Sequence, residues 1–283
     1  MTDNEFAFIR AFVKKRSGID LSLDKGYLVE SRLGPIARQN GFASLSSLIA
    51  TLSAGSNNGL ESQVVEAMTT NESSFFRDKT PFEHFSGVVL PHLSQTRAAQ
   101  RQIKIWCAAA STGQEPYSLG IVLEEERPGL ANWTIDILAT DLSTDVIERG
   151  RAGRYSQFEV QRGLPIQLLM KHFTQDGEVW QLNNSIRSKV RWKVANLLDS
   201  FAQLGRFDVI FCRNVLIYFD RETKTDVLNR LADALTPDGF LVLGAAETVI
   251  GLTDRFRPDP QARGLYRPLS AGSAQPLLQA AGA

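Results

Sequence analysis

Apolar residues recur at helical spacing through the first seventy positions. Phe6, Ile9, Phe12 and Val13 fall on one helical face, and Leu60, Val64, Val65 and Met68 do the same further on. Two further helices are predicted between them, over about 25–39 and 44–53, the second opened by Ser44 as its cap. Ser17-Gly18 and Asn40-Gly41 punctuate the pattern. The pattern predicts a four-helix unit over residues 1–70.

From about residue 100 the pattern changes to short apolar runs alternating with helical stretches. Ile103 to Cys107, Thr134 to Ala139, Phe207 to Cys212 and Phe240 to Leu243 read as strands. Helices are predicted over about 116–126, after Ser143, and from near Asp220 through Leu235, with Thr236-Pro237-Asp238-Gly239 as a turn. Strands alternating with helices specify a doubly wound, mostly parallel α/β sheet. The stretch of about 154–192 breaks this rhythm. Glu178 to Leu182 and Val190 to Val194 mix polar with apolar residues, which predicts a small inserted antiparallel β-subdomain. The main domain is expected to span 71–270, and the Ala-, Gly-, Ser- and Gln-rich 271–283 to be a disordered tail.

Composition narrows the function classes. Among 283 residues, 31 basic groups balance 31 acidic ones, so no global field favours nucleic acid or a membrane surface, and any basic recognition face must be local. No run approaches the roughly 18 apolar residues of a membrane span. The start, MTDNEFAFIR, lacks the pattern of a signal peptide, and a cytoplasmic, monomeric protein is expected. Two cysteines, Cys107 and Cys212, and three scattered histidines show no metal-ligand spacing. No metal is expected, and the cysteines are assigned to core packing.

In open α/β sheets, ligands sit beyond the carboxyl ends of the strands. Four clusters compete for that place. Ala108 to Tyr117 follows the first strand; its small residues let a backbone approach a ligand, and Gly113 permits a tight turn. It lacks the G-x-G-x-x-G fingerprint, so a plain strand–helix turn remains open. Within it, Glu115 suits a ligand amine or hydroxyl, or a helix start. Asp141 ends the second strand, where a carboxylate can accept from ribose hydroxyls or cap a helix. Arg213-Asn214 follows the strongest strand, with Arg213 free to pair with Asp208 or Asp220 instead, and with Tyr218 open as a core aromatic. The run Thr69 to Asp78 joins the two blocks, where Asn71 could cap a helix and Phe75 and Phe76 be buried.

Taken together, TTNESSFFRD (69–78), IWCAAASTGQEPYSL (105–119), ATDLS (139–143), GRFDVIFCRNVLIYFD (205–220) and LTPDGFLVLGAAE (235–247) resemble the CheR family of chemotaxis receptor methyltransferases, in that family's order. The resemblance implies an S-adenosylmethionine-dependent transfer to glutamate carboxylates on the cytoplasmic signalling helices of a chemoreceptor, for sensory adaptation. It implies cofactor contacts from Asn71, Ser73, Arg77, Glu115, Asp141, Asn196, Leu197, Arg213 and Asn214, and transfer or substrate contacts from Arg77 and Tyr218. Ser73 stands where the family has threonine, and Gln114 replaces the first of two glutamates. By the same resemblance, Lys25, Arg32 and Arg38 are candidates for contact with acidic receptor helices, against a plain solvated face. Some members hold a receptor peptide on the β-subdomain; the short insert here favours an enzyme that needs none. The rival readings are a methyltransferase on another substrate such as a small molecule, a non-catalytic cofactor sensor, and, weakest, a nicotinamide dehydrogenase.

Overall fold

The computed structural model describes residues 1–55, 58–130 and 132–269; the 271–283 tail lies outside the described residues. The helical unit comprises α1 (Asp3–Ser17), α2 (Gly26–Gln39), α3 (Leu45–Ser53) and α4 (Asn58–Met68). Its starts and stops are local chemistry. Thr2 and Glu5 form a capping box on α1, Gly18 ends it with φ 79°, and Ser44 caps α3. Ile9, Val13, Val29, Leu33, Leu48 and Val64 fill the core between these helices. The predicted stripe on α1 is narrower than expected: Phe6 and Phe12 flank that core half-buried.

Residues 69–74 run without regular structure into α5 (Thr80–His84), a π-helical turn (Phe85–Val89) and α6 (Leu90–Thr96). These pack Phe82, Phe85, Val89 and Leu93 against the sheet. Then come β1 (Gln102–Ala108), α7 (Gln114–Glu125), β2 (Thr134–Asp141) and α8 (Thr144–Ala152). The insert follows as β3 (Arg154–Ser156), α9 (Gln157–Gln161), α10 (Ile166–His172), β4 (Phe173–Asp176), β5 (Val179–Leu182) and α11 (Asn184–Arg187). The chain returns through β6 (Val190–Val194), β7 (Phe207–Cys212), α12 (Arg221–Ala234), β8 (Leu235–Leu243), β9 (Phe256–Pro258) and β10 (Leu265–Pro268).

The main sheet has the order β6-β2-β1-β7-β8-β10-β9; its first five strands are parallel, and β10 and β9 are antiparallel additions. Strand period two divides β1 between two cores: Ile103, Ile105 and Cys107 face one, Trp106 and Ala108 the other. Cys107 and Cys212 lie on the adjacent strands β1 and β7 as buried free thiols.

One strand expectation is corrected. Val190–Val194 does not belong to the insert, whose antiparallel sheet is β3-β5-β4; it pairs in parallel with β2 at the edge of the main sheet. An edge strand keeps exposed positions, so its mixed pattern mimics a half-solvated antiparallel strand. The Thr236–Gly239 turn sits inside β8 as an irregularity, where pairing jumps from Phe207–Leu235 to Val209–Phe240. Among the described residues no helix is long and apolar enough to cross a membrane.

Candidate active site

Strand order reverses between β1 and β7, with β2 and β6 on one side and β8 on the other. A cleft opens above the carboxyl ends of these strands. Its floor is Ala109–Ser111 after β1, Asp141 at the end of β2, Ala195–Leu197 after β6 and Arg213–Val215 after β7. One wall is the irregular 69–74 run with Arg77; another is Tyr218 and Phe219. The helical unit adds a third wall through Ser17 and Ile19.

The turn after β1 performs what glycines do elsewhere. Ala109 and Ser111 take left-handed φ values of 59° and 51°, and Gly113 opens α7 with φ 97°. A Cβ at Gly113 would stand 2.8 Å from Trp192 and 3.0 Å from the Tyr155 hydroxyl, so glycine is demanded by both conformation and space. Among the described residues, three of the eight non-glycine residues at positive φ line this cleft, Ala109, Ser111 and Asn214, and a fourth, Asp78, is bonded to its Arg213. Strain of this kind persists only where the surroundings over-determine it.

The surroundings can be named. Glu247, buried just past β8, accepts from the backbone N–H of Asn214 and Gly244 at 2.8 Å and of Val215 at 3.0 Å, fixing the turn after β7. Arg213 lies beneath, with 2% of its side chain exposed. It donates to Glu115 Oε2 at 2.8 Å, to Asp78 Oδ2 at 2.7 Å and to the Arg77 carbonyl at 2.9 Å. Its partners are therefore neither Asp208 nor Asp220: Asp208 pairs with Arg97, and Asp220 caps α12 and pairs with Lys14. Burial pushes the Glu115 carboxyl above its ordinary range, with Arg213 pulling it back down.

Asp141 is not the cap of α8, a place Ser143 takes; it braces the turns after β1 and β2 instead. Its Oδ2 accepts from Ser111 N at 2.9 Å and its Oδ1 from Ser143 N at 3.1 Å, while Ser143 itself caps α8. Burial raises its pKa against the pull of those amides. Each oxygen has lone-pair capacity beyond one main-chain donor, and the side chain borders the cleft. That donor-seeking carboxylate suits a ribose diol. The Nε of Arg213, buried and unpartnered among the described residues, and the acidic groups Glu72, Glu115 and Asp141 around the cleft suit an amino-acid terminus and a sulfonium cation. The residues fit S-adenosylmethionine.

Ten predicted residues meet here: Asn71, Ser73, Arg77, Glu115, Asp141, Asn196, Leu197, Arg213, Asn214 and Tyr218 all line the cleft. Asn71 caps no helix; its carbonyl accepts from Ser111 Oγ at 2.8 Å. The Arg77 guanidinium donates to the Glu72 carbonyl at 3.0 Å, and the half-buried Tyr218 borders the opposite side. Asn196 is tied at both ends of its amide, donating to the Arg16 carbonyl at 2.6 Å and accepting from Leu198 N at 3.0 Å. Lys25, Arg32 and Arg38 lie outside the cleft on or beside α2, with Arg32 turned toward the chain at Met68–Thr70. Sequence reasoning missed Glu247, although an acid just past a strand was a usable signal. It also missed Ser17 and Ile19, which carry no chemical signal at all.

The comparisons with known proteins follow this division. The description "CheR methyltransferase, all-alpha domain" matches residues 4–69, and "CheR methyltransferase, SAM binding domain" matches residues 71–264. The chain is 43% identical to "Chemotaxis protein methyltransferase 1" of Pseudomonas aeruginosa over 257 residues, covering 89% of this chain and 93% of that protein. It is 42% identical to "Chemotaxis protein methyltransferase Cher2" of Pseudomonas putida with the same coverage. A "Chemotaxis protein methyltransferase" of Vibrio parahaemolyticus is 42% identical over 260 residues, 90% of this chain and 93% of that protein.

Proposed function

Because this chain belongs to the CheR methyltransferase family, with its SAM binding domain over residues 71–264, we propose that it methylates glutamate side chains on the cytoplasmic helices of a chemoreceptor. The supporting observation is the cleft in which strand-end carboxylates, the clamped Arg77 and the half-buried Tyr218 converge. S-adenosylmethionine supplies an already activated methyl group on a sulfonium. The carbon–sulfur bond breaks with its electron pair left on sulfur, and a carboxylate lone pair forms the carbon–oxygen bond. The products are a glutamate methyl ester and S-adenosylhomocysteine. No proton moves.

This chemistry sets the demands on the protein. A glutamate with pKa about 4.3 is ionised near pH 7, so no general base is required. The remaining work is in-line positioning and exclusion of water. Asp141 holds the nucleoside end of the cofactor; Glu115, steadied by Arg213, faces its amino-acid end. Asn71, Ser73, Asn196, Leu197 and Asn214 complete the cofactor's surroundings. Arg77 or Tyr218 orients the incoming carboxylate. An arginine that bound the ground state too tightly would gain nothing in rate, so Arg77 must hold the carboxylate in line rather than simply hold it hard. The exposed Arg38 and the half-buried Lys25 lie where acidic helices could approach α2.

The test is transfer of labelled methyl from S-adenosylmethionine to membranes carrying chemoreceptors, followed by mild base. Receptor label released as methanol is the expected outcome, and Arg77→Ala should lose most of the turnover with its fold intact. Cofactor binding without labelling of any of several receptors would move the reading to another substrate or to a sensor.

A further inference from the structure

Arg32, a candidate for contact with receptor helices, is occupied elsewhere. It leaves the middle of α2 and donates through one terminal nitrogen to the carbonyls of Met68 and Thr69, both at 2.8 Å, and through the other to Thr70 Oγ1 at 3.0 Å. Met68 is the last residue of α4, so its carbonyl and that of Thr69 are helix-end acceptors with no partner further along the helix. A cation at that end is favoured by the helix dipole as well as by the bonds. The planar guanidinium reaches three acceptors at once, a geometry an ammonium cannot reproduce.

The clamped point is where the helical unit hands the chain to the cleft. Thr69 to Ser74 line the cleft without regular structure, so no backbone ladder holds their path. The far end of this run is anchored by Phe75, fully buried against Tyr155 and Phe173. The near end is anchored by Arg32. Between the two anchors stand Asn71 and Ser73, with Arg77 just beyond.

We propose that Arg32 is a positioning residue for the transfer site, fixing the 69–74 run and so the placement of Asn71 and Ser73, instead of contacting the receptor. This rests on the reading of the cleft as the site of methyl transfer. The two roles for Arg32 differ in what lysine can replace. A residue that attracts acidic helices needs only its charge, whereas the clamp needs the fork.

The test uses the full chain with Arg32→Lys and Arg32→Met. S-adenosylhomocysteine affinity is measured by calorimetry without receptor, the receptor KM is measured separately, and hydrogen exchange is followed at residues 69–74. Both variants are expected to bind S-adenosylhomocysteine at least ~10-fold more weakly. In Arg32→Lys the receptor KM should stay near the wild-type value, and faster exchange should be confined to 69–74. An unchanged cofactor affinity in Arg32→Lys overturns the proposal, and a raised receptor KM beside it would return Arg32 to the docking face. Should Arg32→Met fail to fold, Arg32→Lys, which keeps the stem and charge, still decides between the roles. A wild-type protein that binds cofactor but labels no receptor would sink the functional reading alone, because the affinity and exchange measurements do not use receptor.

Discussion

Replacing Arg213 by methionine puts the buried charge network under the cleft to a quantitative test. The side chain is 2% exposed and holds two carboxylates and a carbonyl, and these differ in what they lose. Asp78, 40% exposed, can turn to water, so its share is at most about 1 kcal/mol. The Arg77 carbonyl loses a charged donor, roughly 1–3 kcal/mol. Glu115, only 12% exposed, is left without its counter-charge, the situation in which broken buried pairs cost about 3–5 kcal/mol. These contributions overlap, and we expect a net loss of about 4 kcal/mol at pH 7.5. Adding Glu115→Gln removes the stranded charge and should recover about 2 kcal/mol, a coupling that a double-mutant cycle reads directly. The pH dependence has a fixed sign. Burial already places the Glu115 pKa above its ordinary 4.5, and losing Arg213 moves it further up. A raised folded-state pKa contributes stability that is fully present below the unfolded value and disappears as pH rises through the folded one. The deficit of Arg213→Met relative to wild type should therefore be largest at neutral and alkaline pH and should narrow toward pH 4.5. Urea unfolding from pH 4.5 to 8.5, with m values compared between variants, provides the measurement. A deficit under about 1 kcal/mol at pH 7.5, or one unchanged by Glu115→Gln, would refute the assignment of Arg213 as the counter-charge of Glu115.

Four further outcomes are expected. Glu247→Gln must set an amide NH₂ against at least one of three backbone N–H donors, costing roughly 1–3 kcal/mol in urea unfolding, and no loss would mean those amides find other acceptors. Gly113→Ala meets Trp192 and Tyr155 at a position of φ 97° and should lose about 2–3 kcal/mol together with cofactor affinity, checked by unfolding and calorimetry on one preparation. Asp141→Asn should weaken S-adenosylhomocysteine by ~10- to 100-fold in calorimetry through loss of a charged acceptor, and an unchanged Kd would place the ribose elsewhere. Arg97 holds the Asp238 pKa down at about 2, which gives stability that is present above pH 3.8 and lost as pH falls through 2. Arg97→Met should therefore flatten the acid limb of the stability curve in that window, and an unaltered limb would remove Asp238 from it.

Much of this protein was determined by local sequence. The helical unit is written in 3.6-residue periodicity and in caps such as Thr2 and Ser44, because caps and amphipathic faces are short-range devices. The buried strands β1, β2 and β7 are legible as apolar runs ending in polar residues, and the carboxyl-end rule by itself then brings Glu115, Asp141, Arg213 and Asn214 to one edge. Tertiary structure decided the rest, for a common physical reason: side-chain partners come from residues distant in sequence. Val190–Val194 looked like an insert strand because edge exposure and antiparallel alternation give the same local pattern; only pairing with β2 distinguishes them, and that pairing carries Asn196 and Leu197 to the cleft. Arg213 had nearby acids at Asp208 and Asp220, yet folding delivered Glu115 and Asp78. Arg32 looked like surface charge until α4 ended within its reach. Ser17 and Ile19 became a wall of the cleft through the packing of one helical unit against the strand ends, an arrangement no local pattern encodes.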